Sequence, residues 1–183
     1  MKTWYHFVRD VRNVYINKDK FAYLYGANGE ILENYDQAYR MCQTLWELYP
    51  SHFEKYVTQQ GYSFENLVDH VKGKKVYDCS SLVLACSQCE GNIMDFYVQR
   101  DYSSAGIRDL LTDITTVSDG LWGNVLWKPG HVGIDVGNGL IVDCACEFVD
   151  IREFFWYDED GMKTAFTDSG RLPWIDYSGG ISL

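Results

Sequence analysis

Proline is scarce in this chain: 183 residues carry three, Pro50, Pro129 and Pro173. No Pro/Ser-rich linker divides it and no repeat or low-complexity tract interrupts it, so it reads as one domain over residues 1–183. No apolar run approaches the ~20 residues that span a bilayer. The opening stretch MKTWYHFVRDVRNVYINKDK lacks the apolar core of a classical signal peptide. The expectation is a chain made in the cytoplasm, with no membrane partner. Positive charge is also short, 16 Lys plus Arg against 26 Asp plus Glu, a formal charge of −10. Such a surface repels phosphates, which argues against nucleic acid and anionic lipid, and leans weakly towards a cationic or zwitterionic substrate. Histidine is limited to His6, His52, His70 and His131, so any imidazole chemistry must use one of these.

What the chain does hold is a core. Hydrophobic residues make up 46% and aromatics 16%, well outside the disordered range. Its six cysteines are Cys42, Cys79, Cys86, Cys89, Cys144 and Cys146. A domain of this size needs no covalent staples, so free thiols are expected. Helices are predicted over residues 4–15, 36–49, 63–71, 78–88 and 107–111, with Pro50 ending the second. Strands are predicted over 123–127, 131–136 and 140–144, the last two joined at Gly137-Asn138-Gly139. The tail SGRLPWIDYSGG reads as a short strand or a packed loop. Helices first and an antiparallel sheet after them give an α+β layout.

Two residues stand out chemically. Asp78 is a good N-cap, which makes Cys79 the first residue of an apolar helix. Unpaired backbone N–H groups and the positive dipole end gather there, so a lowered thiol pKa is expected. A small buried hydrophobe is the competing reading. Cys86 and Cys89 lie deeper in the helix and read as core. His131 follows Pro129-Gly130 and opens the strand HVGIDV, where it can face a cleft. His52 and His70 sit in polar surroundings and read as surface residues.

The hairpin turn then decides what accompanies His131. A three-residue loop sets Gly133 opposite Asp143 and brings Asp143 onto the His131 face, where it can orient the imidazole. A two-residue Asn138-Gly139 turn slips the register by one and puts Cys144 and Cys146 beside His131 instead. That second register favours a metal or redox site. Separately, Cys86-x-x-Cys89 with Cys144-x-Cys146 could form a four-thiolate zinc site in a non-enzymatic binding domain.

Three segments together resemble the NlpC-type cell-wall peptidases, a bacterial and phage branch of the papain-like enzymes. They are Tyr23-Leu24-Tyr25-Gly26, Asp78-Cys79-Ser80-Ser81, and His131-Val132-Gly133-Ile134-Asp135-Val136-Gly137-Asn138-Gly139 with Asp143 twelve positions after the histidine. The His segment is the most specific. The resemblance covers roughly residues 21–29 and 76–145. Ser81 stands where the family has glycine, Asp143 is a less usual third residue, and a helical insert at about 31–75 separates the tyrosine turn from Cys79.

The resemblance implies a papain-like fold with N-terminal helices on a central antiparallel sheet and the nucleophile at the start of a buried helix. It implies Cys79 as nucleophile, His131 as base, Asp143 as its orienter and the Tyr23 hydroxyl as an oxyanion donor. Asp78, Ser80, Tyr77 and Trp127 are expected to bind substrate. Trp122 and Trp174 are further groove candidates, with core packing as the competing reading for these aromatics. The implied partner is a peptidoglycan stem peptide, cut between γ-D-Glu and the diamino acid, after lysis or non-classical export. No metal or cofactor is implied. An N-acetylmuramoyl amidase, an acyltransferase or a toxin using the same Cys-His pair on another amide is the alternative.

Overall fold

The computed structural model describes residues 1–99, 101–116, 122–155 and 166–179. It is a mixed α+β structure. β1 (Lys2–Thr3) leads into α1 (Trp4–Ile16), capped by the Thr3 hydroxyl, which accepts from the His6 backbone N–H. Phe7, Val11 and Val14 follow helical spacing and are buried on one face of α1.

A small sheet comes next. β2 (Phe21–Tyr23) and β3 (Asn28–Ile31) flank β4 (Lys75–Tyr77), with β2 parallel and β3 antiparallel to it. Between β3 and β4 lies the expected helical insert: α2 (Tyr35–Leu48), α3 (Pro50–Tyr56) and α4 (Phe64–Val71). Pro50 does more than end α2. It occupies the first turn of α3, where its missing N–H has no partner to lose. Ser63 and Asn66 close a capping box at the start of α4.

Strand alternation makes this small sheet a partition. Phe21, Tyr23 and Tyr77 face one apolar cluster, shared with α1 and the large sheet, while Ala22, Leu24 and Val76 face a second, built with Cys42, Leu45, Phe53, Leu67 and Val68 of the insert. The insert thus has a core of its own, pressed on one face of a strand that leads directly to Cys79.

α5 (Cys79–Gln88) follows β4 after Asp78 alone. It is buried on all sides from Cys79 to Ser87, as an apolar helix without a polar stripe must be. α6 (Ser104–Leu110) precedes β5 (Thr112–Thr116). The large sheet adds β6 (Val125–Lys128), β7 (His131–Gly137), β8 (Leu140–Cys144), β9 (Ile151–Phe155) and β10 (Asp168–Arg171). The order is β5-β10-β6-β7-β8-β9, antiparallel throughout. β11 (Ile175–Asp176) pairs with β1, so the C-terminal tail is both strand and packed loop; Gly180 lies outside the described residues. Among the described residues no helix is long and apolar enough to cross a membrane.

The β7–β8 hairpin combines both anticipated geometries. Its turn has two residues, Asn138 and Gly139, both at positive φ, and Gly137 pairs with Leu140. The register then shifts between Asp135 and Gly137, and beyond that point Gly133 pairs with Asp143. A β-bulge thus restores the register that the short turn would have lost. Asp135, wholly buried, supports it by accepting the Gly137 N–H at 2.7 Å.

Candidate active site

Cys79 begins α5 because Asp78 stops β4 and caps the helix. The Asp78 carboxylate accepts from the Ser81 N–H at 2.8 Å, and the Ser81 hydroxyl accepts from the Asp78 N–H at 2.8 Å. Ser81 also donates to the Ala27 carbonyl at 2.6 Å. Ser81 therefore completes a capping box and ties it to the turn after Tyr23. Ser80 donates to Asp78 at 2.9 Å, so both residues flanking the sulfur are occupied in holding the helix start.

The sulfur meets the large sheet. The backbone N–H groups of Val132, the neighbour of His131, and of Ser80 favour its charged form. Cys79 is only 7% exposed. Burial pushes its thiol up to about 12, the Asp78 carboxylate adds to that, and the two N–H groups oppose it. The helix start is expected to depress this thiol; burial acts in the opposite direction and raises it.

His131 opens β7, and its Nε2 lies 2.7 Å from Oδ2 of Asp143. Asp143 also receives Arg152 through Nε on Oδ1 at 2.7 Å and Nη2 on Oδ2 at 2.9 Å. Burial works to raise this carboxyl, but the hydrogen bonds from His131 and Arg152 win and hold it below its usual value. With Nε2 engaged, the other imidazole nitrogen, Nδ1, is the one left for a nucleophile. Phe166 stacks on the ring at 5.9 Å and limits its rotation.

Tyr23 is the third party. Its hydroxyl is pushed far above the ordinary phenol value, first by burial, then by Cys79, Glu147 and Asp78. It keeps its proton and can act as a donor. Tyr23 and His131 line one cleft of about 570 Å³, together with Tyr25, His52, Tyr56, Lys128, Cys146 and Arg152.

Comparison of the chain with protein-family models, with curated proteins and with solved structures finds no match. The site must therefore be read from its own geometry.

Several expectations need correction. Tyr77 is wholly buried, stacks on Phe21 and donates to the Phe96 carbonyl at 3.1 Å; it is core, out of a substrate's reach. Among the described residues, Trp127, Trp122 and Trp174 do not line the cleft, and neither do Cys79, Asp78 and Ser80. Trp127 packs against the main core with Arg108 over its ring, Trp122 meets Trp4 edge-on, and Trp174 donates to Ser87 at 3.1 Å. His52 and His70 are half-buried and hydrogen-bonded to carboxylates. His52 meets Glu147 at 3.0 Å and His70 meets Asp150 at 2.8 Å, which fastens the insert to the segment after β8.

All six cysteines are free. Cys144 lies at the Cys79 end of α5, its Sγ on the Tyr77 carbonyl at 3.5 Å. Cys86 is seven residues further along the helix, about 10 Å at 1.5 Å per residue. That separation rules out the four-thiolate site, and among the described residues no cluster of three or more metal-ligating side chains occurs.

Sequence reading missed His52, Tyr25, Tyr56, Lys128, Glu147 and Arg152. A usable signal existed for Arg152 alone. Had residues 151–155 been read as a strand, Arg152 would have fallen directly opposite Asp143, as it does.

Proposed function

We propose that this chain is a papain-like cysteine hydrolase that cuts an amide bond in peptidoglycan stem peptides, with Cys79 as nucleophile and His131 as base. The observation that carries this reading is an imidazole oriented by Asp143 at 2.7 Å, on the residue next to Val132, whose backbone N–H favours the charged form of the Cys79 sulfur.

The buried thiol is neutral at rest, so its proton leaves as the sulfur attacks the amide carbonyl, with His131 Nδ1 as acceptor. The Tyr23 hydroxyl and the Cys79 backbone N–H, free at the helix start, stabilise the oxyanion. His131 then protonates the leaving amine. Water, deprotonated by the same imidazole, releases the acyl group from sulfur. Asp143, held by Arg152, keeps Nε2 engaged and stabilises the imidazolium throughout.

The bond proposed is that between γ-D-Glu and the diamino acid, met after lysis or non-classical export. Digestion of purified peptidoglycan followed by mass spectrometry tests it: new fragments with an N-terminal diamino acid are expected from the wild type and none from Cys79→Ala. Release of intact stem peptides would make the enzyme an amidase on the same site. Full activity in a folded Cys79→Ala protein would remove the nucleophile and the reading with it.

A further inference from the structure

The charge inside the cleft runs opposite to that of the chain. The protein carries −10 overall, yet the two carboxylates that back the imidazoles of the cleft are sealed. Asp143 and Glu147 have 0% side-chain exposure, each backed onto an imidazole, His131 or His52. Glu147 is further satisfied by the Tyr25 N–H at 3.2 Å, and the ring of His52 stacks on Tyr25 at 3.9 Å.

The accessible charges are cationic. Arg152 keeps 46% of its side chain exposed although it grips Asp143 through Nε and Nη2, and its Nη1 has no hydrogen-bond partner among the described residues. Lys128, three residues before His131, extends its Nζ over the ring of Phe166 at 5.5 Å and has no carboxylate partner among the described residues. Among the described residues, an entering ligand therefore meets an ammonium without a carboxylate partner and a guanidinium edge on the walls that carry His131, with the carboxylates of Asp143 and Glu147 covered.

We propose that Lys128 and Arg152 form a carboxylate-binding subsite beside His131, so that the substrate carries a free carboxylate close to the bond that is cut. This deepens the peptidoglycan reading and rests on it for the choice of probe. A stem peptide offers two sources: the α-carboxylate of γ-linked D-Glu and the C-terminal carboxylate of the diamino acid.

Three tripeptides separate them: L-Ala-γ-D-Glu-diaminopimelate, the same peptide with the D-Glu α-carboxylate amidated, and the same peptide with its terminal carboxylate amidated. Their binding is measured by calorimetry on Cys79→Ala protein, and again on Cys79→Ala/Lys128→Gln. One of the two amidations is expected to weaken binding by about ten- to hundredfold, and Lys128→Gln is expected to erase most of that difference. Equal binding of all three peptides, no binding of any, or a difference that survives Lys128→Gln overturns the subsite. Cleavage by the wild-type protein is scored separately. Binding with this selectivity but without cleavage would sink the hydrolase reading and leave the subsite standing.

Discussion

Arg152 and His131 share one oxygen: Oδ2 of Asp143 lies 2.9 Å from Nη2 of Arg152 and 2.7 Å from Nε2 of His131. The guanidinium fixes the plane of the carboxylate, and the carboxylate fixes the plane of the imidazole.

Loss of that clamp should reach the chemistry without touching the reacting atoms. Arg152→Gln is expected to lower kcat by roughly tenfold, and Asp143→Ala by about 10²–10⁴-fold. Arg152→Lys should rescue little, because an ammonium cannot hold both oxygens in a fork. Steady-state assay at saturating substrate checks this. A fully active Arg152→Lys protein would mean that charge alone suffices.

The same carboxylate shapes acid stability. Its folded pKa is held below the usual value, so its contribution is present above about pH 4 and is lost as pH falls through the folded value. Thermal melts of the wild type should therefore fall steeply on the acid side. Asp143→Asn should melt lower at pH 7, by on the order of 1–3 kcal/mol, with a flatter limb below pH 4. Parallel curves for the two proteins would show that other carboxylates set this limb.

Cys79 should be slow to alkylate at neutral pH. Its thiol is pushed up to about 12 by burial, and only the thiolate reacts. The iodoacetamide rate at Cys79, followed by peptide mass mapping, is expected to rise steadily past pH 9 with no plateau near neutrality. A plateau at pH 6–7 would reveal a resting thiolate–imidazolium pair and change the first catalytic step. The same raised value makes folding stability fall as pH climbs above about 8.5, the ordinary thiol value.

Gly137 has φ +89°, and a Cβ placed there would lie 2.1 Å from the Trp122 ring. Both the backbone conformation and the overlap oppose any side chain. Gly137→Ala is expected to cost about 2–4 kcal/mol, from overpacking and left-handed strain together. Because the bulge sets the Gly133–Asp143 register, activity should fall as well. Urea unfolding with an unchanged midpoint would show that the indole moves aside freely.

How far the sequence could be read depended on the range of the interaction. The cap at Asp78, the start of α5 and the strand of His131 are local, and each was legible from neighbouring residues. Asp143 was reachable by counting along one hairpin, although the count held only because a bulge at residue 136 compensated the short turn. Ser81 looked like a tolerated departure, because its bond to Ala27 spans 54 residues. His52 and Glu147 are 95 residues apart, and nothing in either neighbourhood announces the other. The rise in the Cys79 thiol was hidden for a related reason: helix position is visible in sequence, whereas the desolvation that overrides it belongs to the assembled core.

The hydroxyl of Ser81 has a mechanical consequence. By bracing the first turn of α5 against Ala27, it rivets the proposed nucleophile to the strand-and-turn unit that carries the phenol of Tyr23. The spacing between the sulfur and the proposed oxyanion donor is then set by a hydroxyl that belongs to neither, through a bond spanning 54 residues of chain.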